Sequence, residues 1–182
     1  RTGPLGSLGA QLARRASGSY AIDEWGLDPE LVALVNPALG VRWDIHVEGA
    51  DRLPVVGPAV LVFNRRFGFS EPWVLARGVR QACGRFVRTV GVPDTPIVGP
   101  TLRRFGGVLD RTDEIAGLLR AGQLVGLPMA RNLSRESVGG LTVERLEAAL
   151  ETGAPVVPVA LVGHEVGRTW RIVLGEPVAL PV

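Results

Sequence analysis

The sequence predicts a single α/β domain in which helices flank a mixed, largely parallel sheet. Short apolar runs bounded by proline and glycine alternate along the chain with segments of helical pattern, which is the arrangement of such folds. The 182 residues suffice for one domain with a substantial core. Hydrophobic residues make up 46% and charged residues 21%, values that exclude a disordered chain.

Two kinds of pattern predict the strands. Residues 41–48 alternate strictly between apolar and polar side chains, which indicates a strand with one face in water. The continuous apolar run Ala59–Phe63 instead predicts a fully buried strand at the centre of the sheet. The other predicted strands are residues 85–90, 107–110 and 123–127, Val156–Val162 and Thr169–Leu174.

Helix boundaries are predicted from capping residues, prolines and glycines. Ser70, followed by an acid and a proline, predicts a helix that it caps and that runs to about Gly78. Pro37 is expected to break the first helix of the domain, and Gly153 to end a helix over residues 141–152. Further helices are predicted over residues 29–39, 100–105 and 112–121, and a polar loop over residues 128–140.

The first 20 residues are rich in arginine, glycine and serine, which predicts a flexible segment ahead of a domain over residues 21–182. Within this segment, residues 8–15 fit either a frayed terminus or a short basic amphipathic helix on a membrane surface. No run of 18 apolar residues occurs, so no membrane-spanning helix is predicted. The single cysteine makes a cytoplasmic location the expectation, or a peripheral one on the cytosolic face of a membrane.

Every one of the 20 basic residues is arginine, against 18 acidic residues and a net charge of +2. A guanidinium stays protonated at any working pH, so none of these cations can act as a general base. The balanced charge and the 5% of aromatic residues, without a basic stripe, exclude nucleic acid as an expected partner. The single Cys83 excludes a disulfide and a cysteine zinc site, and neither a metal nor another cofactor is predicted.

Four sequence blocks follow one another in a characteristic order. They are NRRFGFS at residues 64–70, GGVLDR at 106–111, LPMARN at 127–132 and VVPVAL at 156–161. With the approach VEGADRLP at residues 47–54, they resemble the lysophospholipid (glycerol-phosphate) acyltransferase family over residues 41–178, most of the chain. The resemblance implies the acyltransferase type of α/β fold, with a lipid, acyl-CoA or acyl-carrier protein as partner.

The first block departs from the family where the chemistry is done. The family motif N-H-x4-D supplies a histidine general base and an aspartate that orients it. Asn64 keeps its place and is expected at the substrate site, but Arg65 stands at the histidine position and Ser70 at the aspartate position. Arginine cannot accept a proton, and serine cannot stabilise a charged imidazole. The resemblance therefore implies a site without its base.

The second and third blocks supply other candidate contacts. Gly107 and Arg111 match the family pattern G-x-[IFV]-x-[IFV]-[DN]-R, which implies that Arg111 binds the acceptor's phosphate. An ion pair of Arg111 with the adjacent Asp110 is the alternative. In the third block, Met129 replaces the family's acid and either fills the vacated space or forms the wall of an acyl-chain site. Arg131 takes the place of the family's arginine if one residue is deleted; otherwise the next residue occupies that position.

Two further groups are candidates for binding or proton transfer. Arg65 and Arg66, at a turn from strand to helix, fit either recognition of a phosphate or carboxylate or a solvated pair. His164 follows the fourth block at the end of a strand and is the candidate for a relocated base. Glu165 beside it is expected to point to the opposite side, and His46 lies on the polar face of its strand.

These residues favour an acyltransferase-fold protein whose catalytic motif is degenerate, that is, a pseudoenzyme. The glycines and prolines of the family motifs are kept, whereas three positions that do chemistry, residues 65, 70 and 129, are changed together. On this hypothesis the protein binds a lipid, an acyl-thioester or a partner protein. The alternative is an active acyltransferase that moves an acyl chain from acyl-CoA or acyl-carrier protein to a hydroxyl or phosphorylated acceptor, with a base such as His164.

Overall fold

A seven-stranded sheet forms the centre of the fold in the computed structural model, which describes residues 13–18, 20–65, 69–130 and 139–180. Its strands are β1 (Asp44–Glu48), β2 (Ala59–Phe63), β3 (Val87–Val90), β4 (Gly107–Val108), β5 (Leu124–Pro128), β6 (Val156–Val162) and β7 (Thr169–Leu174). They lie in the order β1-β7-β6-β2-β5-β3-β4, and every neighbouring pair is parallel except the antiparallel pair β6–β7. The predicted mixed, largely parallel sheet is therefore confirmed.

Helices cover both faces of this sheet. They are α1 (Pro29–Arg42), α2 (Ser70–Cys83), α3 (Val98–Arg104), α4 (Thr112–Arg120) and α5 (Glu147–Thr152), with short 3-10 helices at Ala50–Arg52 and Val143–Leu146. Along β2, Leu61 and Phe63 face the core that α2 closes, whereas Val60 and Val62 face the core under α4 and α5. All five residues of β2 are buried, as predicted for a central strand. No helix in the described part of the chain is long and apolar enough to cross a membrane.

Helix α1 runs through Pro37, so the prediction that this proline breaks the helix is wrong. Arg77 of α2 donates to the backbone and side-chain oxygens of Asn36, directly before the proline, and this long-range contact holds the turn in place. The helix ends only at Arg42, and strand β1 consequently starts at Asp44 rather than at residue 41.

Helix α2 is longer than predicted because Gly78 is a packing position instead of a stop signal. A Cβ at Gly78 would come within 2.3 Å of the Ile172 side chain, so glycine lets the helix approach the sheet. The helix ends at Cys83, where Gly84 adopts a φ of +74°. The helix predicted before Gly153 does end there, but as a 3-10 helix followed by α5.

The start of α2 is capped by an acid from a distant part of the chain. Phe69 occupies the N-cap position without a side-chain hydrogen bond, and Ser70, predicted as the cap, is instead the buried first residue of the helix. The Ser70 hydroxyl donates to Oε1 of Glu165 at 2.7 Å, and its backbone N–H donates to Oε2 at 3.2 Å. Because Glu165 lies in the β6–β7 loop, its carboxylate both stabilises the helix N-terminus and holds this loop against α2.

Part of the segment predicted to be flexible, residues 13–18 and 20, contacts the domain. The Arg15 guanidinium binds both carboxylate oxygens of Asp28, at 2.8 and 2.7 Å, and Asp28 is fully buried at the N-cap of α1. Arg15 and Arg104 also lie 5.1 and 5.4 Å from the centre of the Tyr20 ring. The rest of that segment, residues 1–12 and 19, is outside the described residues.

We expect Glu165→Ala to lower the free energy of unfolding by about 1–2 kcal/mol, the usual cost of losing a helix cap. Ser70 is only 6% exposed, so water does not readily replace the lost acceptor. Urea denaturation measures the difference. The control is Glu176→Ala, which removes an acid that is 77% exposed and paired with Arg52, and should change stability by less than about 0.5 kcal/mol. Equal losses in both variants would show that Glu165 is not a cap.

Acid is expected to break the Arg15–Asp28 pair. Burial alone would raise the pKa of Asp28, but hydrogen bonds from Arg15 and the Leu31 N–H, with the charges of Arg15 and Arg104, hold that pKa below its usual value. Because the pKa is lower in the folded chain, the stabilisation is complete above the unfolded-state value of 3.8 and is lost as the pH falls through the folded-state value.

The stability of the unmodified protein should therefore fall more steeply from about pH 5 to about pH 2 than that of Asp28→Asn. Asparagine is also a good N-cap residue but does not titrate, so the variant isolates the charge of the pair. Urea denaturation at several pH values gives the two slopes. Parallel slopes would contradict a stabilising role for this ion pair.

Candidate functional site

The sequence blocks meet at one edge of the sheet because they follow strands that run in the same direction. Asn64 and Arg65 come directly after β2, and Met129 comes after β5. His164 follows β6, and β2 pairs in parallel with both β5 and β6. Arg111 follows β4, farther along the same edge. The carboxyl ends of parallel strands are where α/β folds form ligand sites.

The side chain of Asn64 adds two hydrogen bonds between β2 and β6 beyond the end of their ladder. Its Oδ1 accepts from the N–H of Leu161 at 2.6 Å, and its Nδ2 donates to the Leu161 carbonyl at 3.0 Å. The carboxamide thereby acts as a backbone amide would, beyond the last ladder pair of Phe63 with Val159. These contacts of Asn64 are structural, and the expected substrate contact stays a prediction.

Arg65 and Gly107, two of the candidates, line a common pocket of about 140 Å³, the Arg65 pocket. The rings of Trp73 and Phe105 form part of its wall and meet edge to face, with centroids 5.2 Å apart. Gly107 leaves space for the Val92 side chain, since a Cβ at Gly107 would come within 2.2 Å of it. The structure thus brings these two candidates together in a narrow, largely apolar pocket.

His164 lines a different pocket of about 170 Å³, the His164 pocket. Glu71 and Glu165 line it too, and Glu71 is only 4% exposed whereas His164 is exposed. Glu165 is expected from the sequence to point away from His164, yet both residues line this pocket because the chain turns after β6. A histidine and two carboxylates can hold and move protons. None of the described residues lining this pocket also lines the Arg65 pocket.

Met129 lines a larger opening of about 780 Å³ on the outer face of β6, the apolar groove. The outward-facing residues of β6, Pro158, Ala160 and Val162, form part of its surface and are exposed. Asn64, which also lines the His164 pocket, is the one polar side chain among the described residues that line the groove. Met129 thus lies beside a hydrophobic surface, and whether it is the wall of an acyl-chain site or fills space stays a prediction.

Arg111 lies at the surface beside Asp94. Its Nη2 is 3.2 Å from Oδ2 of Asp94, and the two side chains are 60% and 74% exposed. The partner considered from the sequence, Asp110, pairs instead with Arg145 at 2.9 Å. Exposed ion pairs contribute little to stability, so an anion from solvent can compete with Asp94 for Arg111. The expected phosphate contact of Arg111 stays a prediction.

Sequence reasoning did not assign a role to several residues that shape this edge. Trp73 and Phe105 have the pattern of ordinary core residues, and no local signal marks them as pocket walls. Glu165 lies in the loop that follows β6, but its partner Ser70 is 95 residues away along the chain. Two further candidates, Arg66 and Arg131, lie outside the described residues.

The described edge offers two kinds of chemistry. The Arg65 pocket and the apolar groove provide hydrophobic surface, with one permanent cation at the pocket. The His164 pocket provides groups that exchange protons. In the described ranges, no three histidine, cysteine or carboxylate side chains are grouped so that they could hold a metal ion.

The chain is similar to curated mycobacterial proteins over most of its length. No model of a known protein family matches the chain. An uncharacterized protein of Mycobacterium leprae is 29% identical over 173 residues, which cover 85% of this chain and 47% of the relative. Uncharacterized proteins of Mycobacterium bovis and Mycobacterium tuberculosis are each 28% identical over 173 residues, covering 85% of this chain and 48% of theirs. The chain spans about half the length of these curated relatives.

A solved structure identifies the architecture. The 1-acyl-sn-glycerophosphate (LPA) acyltransferase PlsC of Thermotoga maritima matches with a TM-score of 0.59 and 19% sequence identity. The match covers 82% of this chain and 69% of that chain. A likeness at this identity shows the fold alone. The seven-stranded sheet with helices on both faces is thus an acyltransferase-like fold, as the sequence blocks imply.

Proposed function

We propose that the protein binds an acylated lipid or an acyl-thioester through the apolar groove, on an acyltransferase-like fold that has lost the family's base. The observation that carries this proposal is the groove, about 780 Å³ with Asn64 as the one polar side chain among its described lining residues. Ligand sites for small molecules span about 300 to about 1,000 Å³. Met129, at a changed position of the third block, belongs to the wall of the groove.

Hydrocarbon is the ligand chemistry that suits this groove. Residues on a water-facing side of a strand are ordinarily polar, but Pro158, Ala160 and Val162 offer no hydrogen-bonding side chain. Each buried methylene group of a ligand contributes about 0.8 kcal/mol, so about ten methylenes contribute roughly 8 kcal/mol before the cost of association. A saturated acyl chain therefore gains binding energy here without needing a specific polar contact.

The changed residues of the first block support binding rather than base catalysis. Arg65 stands where the family has its histidine, and a guanidinium cannot take the proton of an acceptor hydroxyl. Ser70 stands where the family has its aspartate, and its hydroxyl donates to Glu165. These two positions therefore do not form a proton acceptor with an orienting acid.

A second candidate function is acyl transfer with His164 as a relocated base. One observation favours it: His164 shares a pocket with Glu71 and Glu165, and Asn64 lines both this pocket and the apolar groove. On this hypothesis an acceptor hydroxyl gives its proton to the imidazole, and its oxygen attacks the carbonyl of an acyl-thioester whose chain lies in the groove. The carbon–sulfur bond breaks, and the thiol leaves with the proton. Acyl-CoA or an acyl-carrier protein would be the donor.

We expect Ala160→Glu to weaken binding of a fluorescent long-chain acyl probe at least tenfold, because it places a carboxylate on the surface of the groove. The control is Val56→Glu, the same kind of change at a residue that is 86% exposed elsewhere on the protein. Fluorescence titration measures both, and mass spectrometry of lipid extracted from the purified protein identifies a natural ligand. Unchanged binding in Ala160→Glu, or an equal loss in Val56→Glu, would contradict the proposal.

Assays with acyl-CoA and acyl-carrier protein donors separate the two candidate functions. If the protein binds its ligand without catalysis, the unmodified chain transfers no acyl group above the uncatalysed rate, and His164→Gln leaves that rate unchanged. If His164 is the base, turnover occurs and His164→Gln lowers it at least about 100-fold, the usual contribution of a general base. Turnover that survives His164→Gln would count against both functions as stated.

A gain-of-function variant tests whether the changes at residues 65 and 70 account for an absence of acyl transfer. Arg65→His with Ser70→Asp restores the family's two side chains, but the new aspartate would lie against the Glu165 carboxylate. Glu165→Gln is therefore added, because two adjacent carboxylates disfavour each other's charge. Transfer activity that appears in this triple variant, and not in the same variant with Ser70→Asn, would support the loss of an inherited reaction.

A further inference from the structure

Strand β1 is the outermost strand on one side of the sheet. It stands at one end of the strand order, and β4, which has only two residues, stands at the other. β1 has five residues, Asp44–Glu48, and contains neither proline nor glycine. Very short strands and prolines are two ways in which proteins prevent an outermost strand from pairing with another chain. β1 uses neither of them.

The hydrogen bonds of β1 turn two of its residues away from the sheet. In a parallel pair, every second residue of the outermost strand directs both its N–H and its C=O at its neighbour. The Asp44 N–H donates to the Arg168 carbonyl at 2.8 Å, so residues 44, 46 and 48 face β7. Ile45 and Val47 therefore direct their N–H and C=O groups to the outer side. Among the described residues, no side chain or loop backbone bonds to these groups.

An opening of about 780 Å³, the β1 groove, lies along this outer side. Its wall includes the four consecutive residues 45–48 of β1. Gln81 and Ala82, at the end of α2, line it from one face of the sheet, and Thr169 and Arg171 of β7 line it from the other face. An opening that touches both faces has to pass around the outermost strand. The groove therefore lies where a further strand would pair with β1.

One face of the groove is apolar. The side chains of Ile45 and Val47 point toward α2, at 3.1 and 3.3 Å from where a Cβ of Gly78 would be. Ala82, on the last turn of α2, is exposed beside them. Side chains alternate between the two faces of a strand, so every second residue of an added strand would pack against these apolar groups.

The other face carries an excess of acid. Of the side chains that β1 and β7 direct to this face, Asp44 and Glu48 are carboxylates and Arg171 is the one permanent cation. Asp44 and Glu48 are 70% and 56% exposed, and their contacts with His46 and Arg171 are long, at 3.5 and 3.8 Å. Exposed ion pairs of this kind contribute little, so both carboxylates can accept a further cation.

These charges select the partner of β1. If a second copy of β1 paired antiparallel about His46, Asp44 of each copy would lie opposite Glu48 of the other, and like charges that face each other destabilise a strand pair. A strand with a basic side chain at each of these two positions gains energy instead. Charge therefore disfavours pairing between copies and favours a basic segment of another protein.

We propose that the β1 groove binds an extended segment of a partner protein as an eighth strand of the sheet. The segment has two basic residues four positions apart, which face Asp44 and Glu48, and apolar residues that alternate with them. Backbone hydrogen bonds to Ile45 and Val47 supply affinity, and the side chains supply selectivity. This binding is independent of the lipid function, because the described residues lining the β1 groove and the apolar groove do not overlap.

Amide hydrogen exchange measured by NMR tests the backbone pairing. The probe is the heptapeptide TKVTVKT with acetylated and amidated ends. Without it, the amides of Ile45 and Val47 should exchange faster than those of His46 and Glu48, which bond to β7. Saturating peptide should slow exchange at Ile45 and Val47 at least tenfold. Unchanged exchange would overturn the proposal, and so would protection that rises with protein concentration alone, which would indicate a second copy on β1.

Charge reversal tests the selectivity. TKVTVKT should bind at least tenfold more tightly than TEVTVET, which places glutamates opposite Asp44 and Glu48. Asp44→Lys with Glu48→Lys should reverse this preference; if that protein does not fold, Asp44→Asn with Glu48→Gln should weaken TKVTVKT binding at least threefold. The control, Asp94→Lys with Glu151→Lys, changes two exposed acids far from β1 and should keep the original preference.

A preference that does not respond to the changes at Asp44 and Glu48, or that reverses equally in the control, would overturn the proposal. The fluorescent acyl probe should bind the variant with lysine at both β1 positions as it binds the unmodified protein. Failure of the peptide experiments therefore leaves the lipid function standing, and failure of the acyl probe to bind leaves the β1 groove standing.

Discussion

The carboxamide of Asn64 holds together the edge on which every candidate site lies. Its two hydrogen bonds to the backbone of Leu161 join β2 to β6 where their ladder ends. Arg65 follows directly and reaches the end of β3, while β6 continues to the loop that carries Glu165. One side chain therefore adds to the link between β2, which leads to the arginine, and β6, which leads to the acid and lines the groove; Asn64 has this role whether or not it contacts a ligand.

The site that results separates groups that the family motif would pair. An acid orients a histidine base only from within hydrogen-bonding distance. Here Arg65 lies in a narrow, largely apolar pocket, whereas the carboxylate of Glu165 accepts from the Ser70 hydroxyl at the start of α2. The guanidinium of Arg65 and the carboxylate of Glu165 line two different pockets. If this edge serves binding, as we propose, a histidine at residue 65 alone is not expected to create a base with an orienting acid.

Sequence reasoning succeeded where the signal is local and failed where it depends on distant contacts. Strands β2, β6 and β7 were predicted at their observed bounds, because the pattern of apolar and polar residues that predicts a strand lies within the strand itself. The helix ends predicted at Pro37 and Gly78 were wrong. Arg77 binds the residue before Pro37, and Ile172 packs against Gly78, and no local pattern identifies these distant contacts. The same limit applies to the site, because the partnership of Glu165 with Ser70, 95 residues apart, could not be predicted.

The exclusive use of arginine has a structural consequence beyond its charge. Arg85 donates to three backbone carbonyls at 2.7 to 2.8 Å, and Arg42 donates to two carbonyls of the β6–β7 loop at 2.8 and 2.6 Å. A lysine ammonium is a compact point charge without a planar fork, so it would not span such sets of acceptors. Arg42 in this way holds the loop that carries Glu165. The permanently protonated fork that anchors the loops is also what makes Arg65 unable to act as a base, so the property that stabilises this edge excludes proton abstraction by this residue.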